Sequence, residues 1–238
     1  KALGSTDGAG NEVRFAFTIA IYQENKDLND NPWVCNDANV DGRFNMKSTL
    51  IWSDIKDMLN YGEGIAFHDA DLSSENCNNE DSIIKHFYIG EDSVKKHLSG
   101  RCCKMLAEPD GNIHYTNAGI KFHDIQTLTA QADANTTIYP FKVNSDLLKA
   151  VISRTIYNGP SDIKTAIINN MSINNEDRPA ISIGAHRTYN DTSDLFLWIN
   201  NTYGKDGDDS VWFPSQEEYF EYCYYRNHAQ ITKNNCAR

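Results

Sequence analysis

The stretch Leu50–Leu72 reads LIWSDIKDMLNYGEGIAFHDADL. Its first half carries Trp52, Ile55 and Leu59 at three- and four-residue spacing, which predicts a helix with one apolar face. Thr49 suits the cap at its start, and Gly62 suits its stop. GIAF is a short apolar run bounded by polar residues, which predicts a buried strand. The strand ends abruptly in His68, with Asp69 and Asp71 close behind. Such a cluster either holds a metal ion or satisfies backbone groups where a strand leaves the core.

The same order of helix and strand extends outward in both directions. Upstream, RFAFTIAIY from Arg14 is rich in β-branched and aromatic residues and is expected as one buried strand ending near Gln23 and Glu24. The polar stretch after it is expected as a long loop, with Trp33 beside Pro32 as an exposed platform. Downstream, EDSIIKHFYIGEDSVKKHLSG predicts one or two helices stopped at Gly100, and CCKMLA predicts a strand ending in the turn sequence EPDGN. TTIYPFKV is expected as a strand and SDLLKAVISRTIYNG as a helix. AISIGA is expected as a strand delivering His186, SDLFLWINNTYG as a helix and SVWF as a last strand, with Trp212 packed in the core. Ser215 and Glu218 form a capping box that opens the final helix.

Alternation of this kind implies an α/β fold with a mostly parallel sheet, open or closed as a barrel. Reactive groups in such folds collect at the C-terminal ends of strands. His68, the Glu108–Asp110 turn and His186 fall at such ends, and Glu24 follows the first strand. Residues 1–12, KALGSTDGAGNE, are polar and glycine-rich and are expected as a flexible tether left after export, with a single domain over 13–238.

The net charge of −11 argues against nucleic acid and anionic membranes as partners, because nothing here neutralises phosphates. No apolar run of about 18 residues is present, so no transmembrane segment is expected. The six cysteines contain no CxxC pair, which disfavours a zinc ribbon and leaves disulfides open in an exported protein. Asn135, Asn170, Asn190 and Asn200 open glycosylation-type sequons, common by chance in so Asn-rich a chain.

With these elements in order, the chain resembles the polysaccharide deacetylase family (NodB homology, carbohydrate esterase family 4). The resemblance rests on LIWSDIKDMLNYGEGIAFHDADL against the family's helix, Gly, strand and first His, and on KMLAEPDGN against its Pro-[YF]-Gly turn. AISIGAH is similar to the strand that ends in a functional His, and YGKDGDDSVWFPSQEEYFEYCYYR to the closing strand and helix of bacterial members. It implies a distorted (β/α) barrel, an exported bacterial protein (periplasmic, cell-surface or secreted) and hydrolysis of acetyl groups on N-acetylated or O-acetylated sugars by a metal-activated water. Family members bind the ion through one Asp and two His, with a neighbouring Asp as base.

Several positions depart from that pattern. Glu24 is the only carboxylate near the place of the first Asp pair, Leu72 stands where the second motif His belongs, and Ala107 and Glu108 replace the Arg before the turn. The resemblance therefore implies a replacement ligand set of His68 with Asp69 or Asp71, aided by Glu24. Oxygen-rich ligands favour manganese, magnesium or calcium relative to zinc, and the ion is expected to be weakly bound or absent. Proton transfer falls to His186, Glu24 or Glu108. Asp110, Arg187 and Trp33 are the expected contacts to a glycan. Two other functions compete: a catalytically silent barrel that binds glycan or a protein partner, and a two-carboxylate glycosidase using Glu24 and Glu108.

Overall fold

Neighbouring residues of a strand face opposite ways, and this chain sets mostly large side chains on one face and mostly alanines on the other. The computed structural model describes residues 3–22, 33–34, 52–68, 76–142, 148–185, 191–230 and 232. Its main sheet takes β3 (Thr18–Tyr22), β4 (Trp33–Val34), β5 (Gly64–Phe67), β6 (Met105–Ala107), β7 (Thr127–Ala130) and β8 (Ala150–Ser153) in the order β4-β3-β5-β6-β7-β8. Strands β3, β5, β6, β7 and β8 are parallel, and β4 is an antiparallel edge.

Ile21, Ile65, Phe67, Leu106 and Leu128 face one layer of helices. That layer is α1 (Trp52–Asn60), α2 (Glu80–His97) and α3 (Ile113–Lys121), which contribute Trp52, Ile55, Ile83, Phe87, Val94, Tyr115 and Ala118 to the same core. Burial of each such large side chain contributes about 1.5–3 kcal/mol. The intervening residues Ala66, Met105, Ala107 and Ala150 face the other way, onto Phe220 and Cys223 of α6 (Gln216–His228). A row of alanines lets that helix approach closely. Ser215 caps α6 by accepting from the Glu218 N–H at 3.2 Å, as its sequence implied.

The strand series runs on past β8. After Arg154 the chain enters β9 (Thr155–Ile156), which pairs in parallel with β10 (Ile183–Gly184). Helices α4 (Pro160–Met171) and α5 (Thr192–Thr202) cover this end with Ile163, Leu195 and Ile199, which pack with Phe15 and Tyr157. The fold is thus α/β of the (β/α) type. Among the described residues, no pairing closes β10 or β8 back onto β3 or β4 as a full barrel would require.

Four elements differ from the sequence expectation. The segment read as a helix from Ser145 contains β8 and β9 instead. Val151, Ile152, Thr155 and Ile156 are β-branched; β8 pairs with β7 over all four of its residues, and β9 pairs with β10. Among its described residues, TTIYPFKV forms only an isolated bridge, Thr136 to Ile152, and Pro140 has no N–H to donate. SVWF is not a strand: Phe213 carbonyl accepts from Ala16 N–H at 2.8 Å, while Trp212 is part-exposed and packs edge-on against Tyr222. RFAFTIAIY is split, with Arg14 ending β2 (Glu12–Arg14) before β3 begins.

Within residues 1–12, expected as a loose tether, the described residues are tied down. β1 (Gly4–Thr6) pairs antiparallel with β2. Gly4 N–H donates to Asn200 Oδ1 at 3.0 Å, and Thr6 N–H to Asp209 Oδ1 at 2.8 Å.

Gly119 shows how tightly α3 sits on the sheet. A Cβ there would lie 2.6 Å from Cδ2 of both Leu106 and Leu128, two fully buried side chains. Gly119→Ala gains about 1 kcal/mol of helix propensity but overpacks the core by about 1–3 kcal/mol. A net loss of about 1 kcal/mol is expected, read as a fall of about 2–4 °C in Tm.

Candidate functional site

The C-terminal ends of β5 and β6 lie side by side, with Phe67 paired to Leu106. Each strand hands the chain to a polar residue: His68 follows β5, and Glu108 follows β6. His68 is half-buried and its backbone N–H donates to Ile21 carbonyl at 3.3 Å, an extension of the β3–β5 ladder. That bond fixes the backbone from which the imidazole projects. Because β5 lies between β3 and β6, His68 is flanked by the ends of both.

Glu108 is fully buried. Its Oε1 accepts from the Thr116 hydroxyl at 2.9 Å and its Oε2 from Gln131 N–H at 3.0 Å. The carboxyl therefore ties the β6 end to α3 and to the segment after β7. Both oxygens face protein, which departs from the proton-transfer role expected of Glu108. Burial pushes its pKa up and the neighbouring Asp133 pushes it further, against the Gln131 and Thr116 hydrogen bonds that favour the ionised form. The half-buried Asp133 is the outer member of this carboxyl pair.

This pair has a consequence for stability. The folded state holds the Glu108 proton more tightly than the unfolded chain, whose ordinary value is 4.5. The contribution is therefore present below about pH 4.5 and is lost as pH rises through the raised folded value. Denaturant midpoints of Glu108→Gln, compared with the parent between pH 4 and 7, are expected to lack that decline.

Asp110 is exposed at the tip of the turn, with a left-handed φ of 51° beside Gly111 at 69°. Asn112 closes the turn, donating its N–H to Pro109 carbonyl at 2.9 Å, and caps α3 by accepting from His114 N–H at 3.0 Å. Asp110 thus stands exposed at this rim, while its neighbours hold the backbone.

Arg154 was not anticipated as part of the site, because its segment was expected as a helix. Its guanidinium donates to the Glu108 carbonyl at 2.8 Å, and its stem packs over Gly184, where a Cβ would lie 2.6 Å from Arg154 Cδ. One side chain thus joins the end of β6 to the end of β10. An arginine thus reaches this turn from the end of β8.

Glu24, Asp69, Asp71, Leu72, His186 and Arg187 lie outside the described residues. Trp33 belongs to β4, opposite Tyr22, instead of a loop. Of the donors expected to hold a divalent ion, the described part of the rim supplies the His68 imidazole, a group whose chemistry fits such an ion. Among the described residues, the one cluster of three potential donors within 4.8 Å of one another is elsewhere: Glu91, Cys102 and Asp124. A cavity of about 500 Å³ lined by Leu3, Phe15, Phe17 and Phe196 also lies away from His68, at the N-terminal approach to β3. Among the described helices, none is long and apolar enough to cross a membrane.

Among curated proteins, none matches the chain. The family model described as "Putative polysaccharide deacetylase" matches residues 1–237, nearly all of the 238. Its extent takes in β5, the Glu108 turn and β10 together, and the chain belongs to this polysaccharide deacetylase family.

Proposed function

We propose that the chain removes acetyl groups from N-acetylated or O-acetylated sugars at the rim formed by the ends of β5, β6 and β10. The observation that supports this most is the position of His68, an imidazole at the C-terminal end of a central parallel strand in a chain of this family. His68 with Asp69 and Asp71 would hold a divalent ion, zinc or a harder ion such as manganese, magnesium or calcium. Such an ion supplies a more acidic water and a polarised carbonyl. The protein's own groups do the rest. Glu24 takes the proton from the attacking water, and His186, two residues past β10, gives one to the leaving amine or alkoxide. Glu108 and Arg154 brace the turn that carries Asp110. Asp110, Arg187 and Trp33 orient the glycan.

Leu72 favours a second reading, glycan binding with little or no turnover, since leucine offers no lone pair where the family has a histidine. The glycosidase reading loses its second carboxylate, because Glu108 is turned inward onto Thr116 and Gln131. Export and a glycan partner accompany the deacetylase reading. Acetate release from N-acetylated oligosaccharides, with added manganese or zinc and after chelation, separates the first two readings. Metal-dependent acetate is expected; saturable oligosaccharide binding with no acetate under any metal would establish the second.

A further inference from the structure

A second group of ligand-type side chains sits at the opposite end of the sheet. Cys102 precedes β6 and Glu108 follows it, so about six residues of near-extended chain, roughly 20 Å, separate the two ends. Glu91 projects from α2, Cys102 from the connection into β6, and Asp124 from the connection into β7. One donor atom from each lies within 4.8 Å of the other two.

Two observations point to a cation. Glu91 is 2% exposed; its Oε2 accepts from Cys103 N–H at 3.1 Å, the Cys102 thiol hydrogen-bonds the same carboxylate, and among the described residues the buried Oε1 meets only the Lys95 ammonium, at 3.4 Å. The charge nearest it is the Lys95 ammonium, 3.4 Å from that oxygen and 3.3 Å from Asp124 Oδ2. Lys95 is 39% exposed and reaches in from solvent on a flexible stem. It bridges the two carboxylates, donating to Asp124 and ion-paired with Glu91, in the place a metal ion would take.

We propose that Glu91, Cys102 and Asp124 form a zinc-type site, distinct from the deacetylase rim, which a soft divalent cation enters by displacing the Lys95 ammonium. Binding releases the Cys102 proton, which burial and Glu91 hold more tightly than usual, and the thiolate so formed selects zinc or cadmium over magnesium and calcium. Donors around zinc at about 2.0–2.3 Å lie roughly 3.3–3.8 Å apart, so the three close inward by about an ångström. Cys102 and Asp124 are only half-buried, which leaves them room to do so. Water fills the fourth position of the tetrahedron.

Cadmium titration of the full chain, followed by the ultraviolet cadmium–thiolate charge-transfer band, tests this without reference to acetate release. The parent is expected to show a saturating band that zinc competes away. Cys102→Ser should lose the band, and Lys95→Met, which keeps the stem but removes the competing charge, should bind at least about tenfold tighter. A band of undiminished amplitude in Cys102→Ser would overturn the assignment. So would an affinity unchanged in Lys95→Met, which would make the cluster an ordinary internal ion pair.

Discussion

Leu72→His is expected to raise zinc affinity at the His68 rim by at least about tenfold and to quicken acetate release with it. In the family pattern the histidine four residues after the first closes one side of the ion's shell. Here that position is leucine, and the alternatives, Asp69 and Asp71, are carboxylates on the same short connection. Carboxylate ligands favour harder ions, while a second imidazole restores the mixed nitrogen and oxygen set that suits zinc. Outer-shell changes alone commonly move metal affinity 10–100-fold, so restoring a direct ligand should do no less. Equilibrium dialysis with zinc, on parent and variant, is the measurement. Tight stoichiometric zinc at His68 already in the parent would contradict this reading of Leu72.

Lys149→Met is expected to lower stability by about 2–3 kcal/mol. The Lys149 ammonium donates to three backbone carbonyls, those of Gly119 at 3.3 Å and of Phe122 and Ile125. Two of these belong to the unsatisfied carbonyls at the end of α3. Methionine preserves the stem and leaves those acceptors facing protein, where each lost charge-assisted bond costs about 1.5–3 kcal/mol. Burial also lowers the lysine's pKa, so part of the bonding gain is already spent on desolvation and the three bonds do not sum. The expected loss corresponds to a Tm lower by roughly 5–10 °C for a chain of this size. A Tm unchanged within a degree or two would mean that water replaces the ammonium without cost.

Local signals decide which parts of this fold can be read from sequence. GIAF was legible because an apolar run lies between two glycines and a histidine, and the helix before it has a regular face. AVISRTI was not, because a short apolar run among helix-compatible neighbours fits either structure until a partner strand is known. Its partner is TLTA, four residues with two threonines, too short and too polar to announce a buried strand. Both strands exist through pairing with each other over all four positions. The site follows the same rule. His68 was found from its position at a strand end. The inward turn of Glu108 depends on Thr116 and Gln131, and the role of Arg154 depends on the misread strand. Glu91, Cys102 and Asp124 have no motif spacing at all, since three separate segments bring them together.

The most direct test of deacetylation at this rim compares the parent with His68→Ala, both loaded with manganese or zinc, for acetate released from an N-acetylated oligosaccharide. Far-ultraviolet circular dichroism on both samples confirms that the half-buried position tolerates alanine. Slow, metal-dependent release by the parent and none above the blank by His68→Ala is the result expected. Equal release by the two proteins, or none by the parent with any metal, would contradict a hydrolytic centre built on His68.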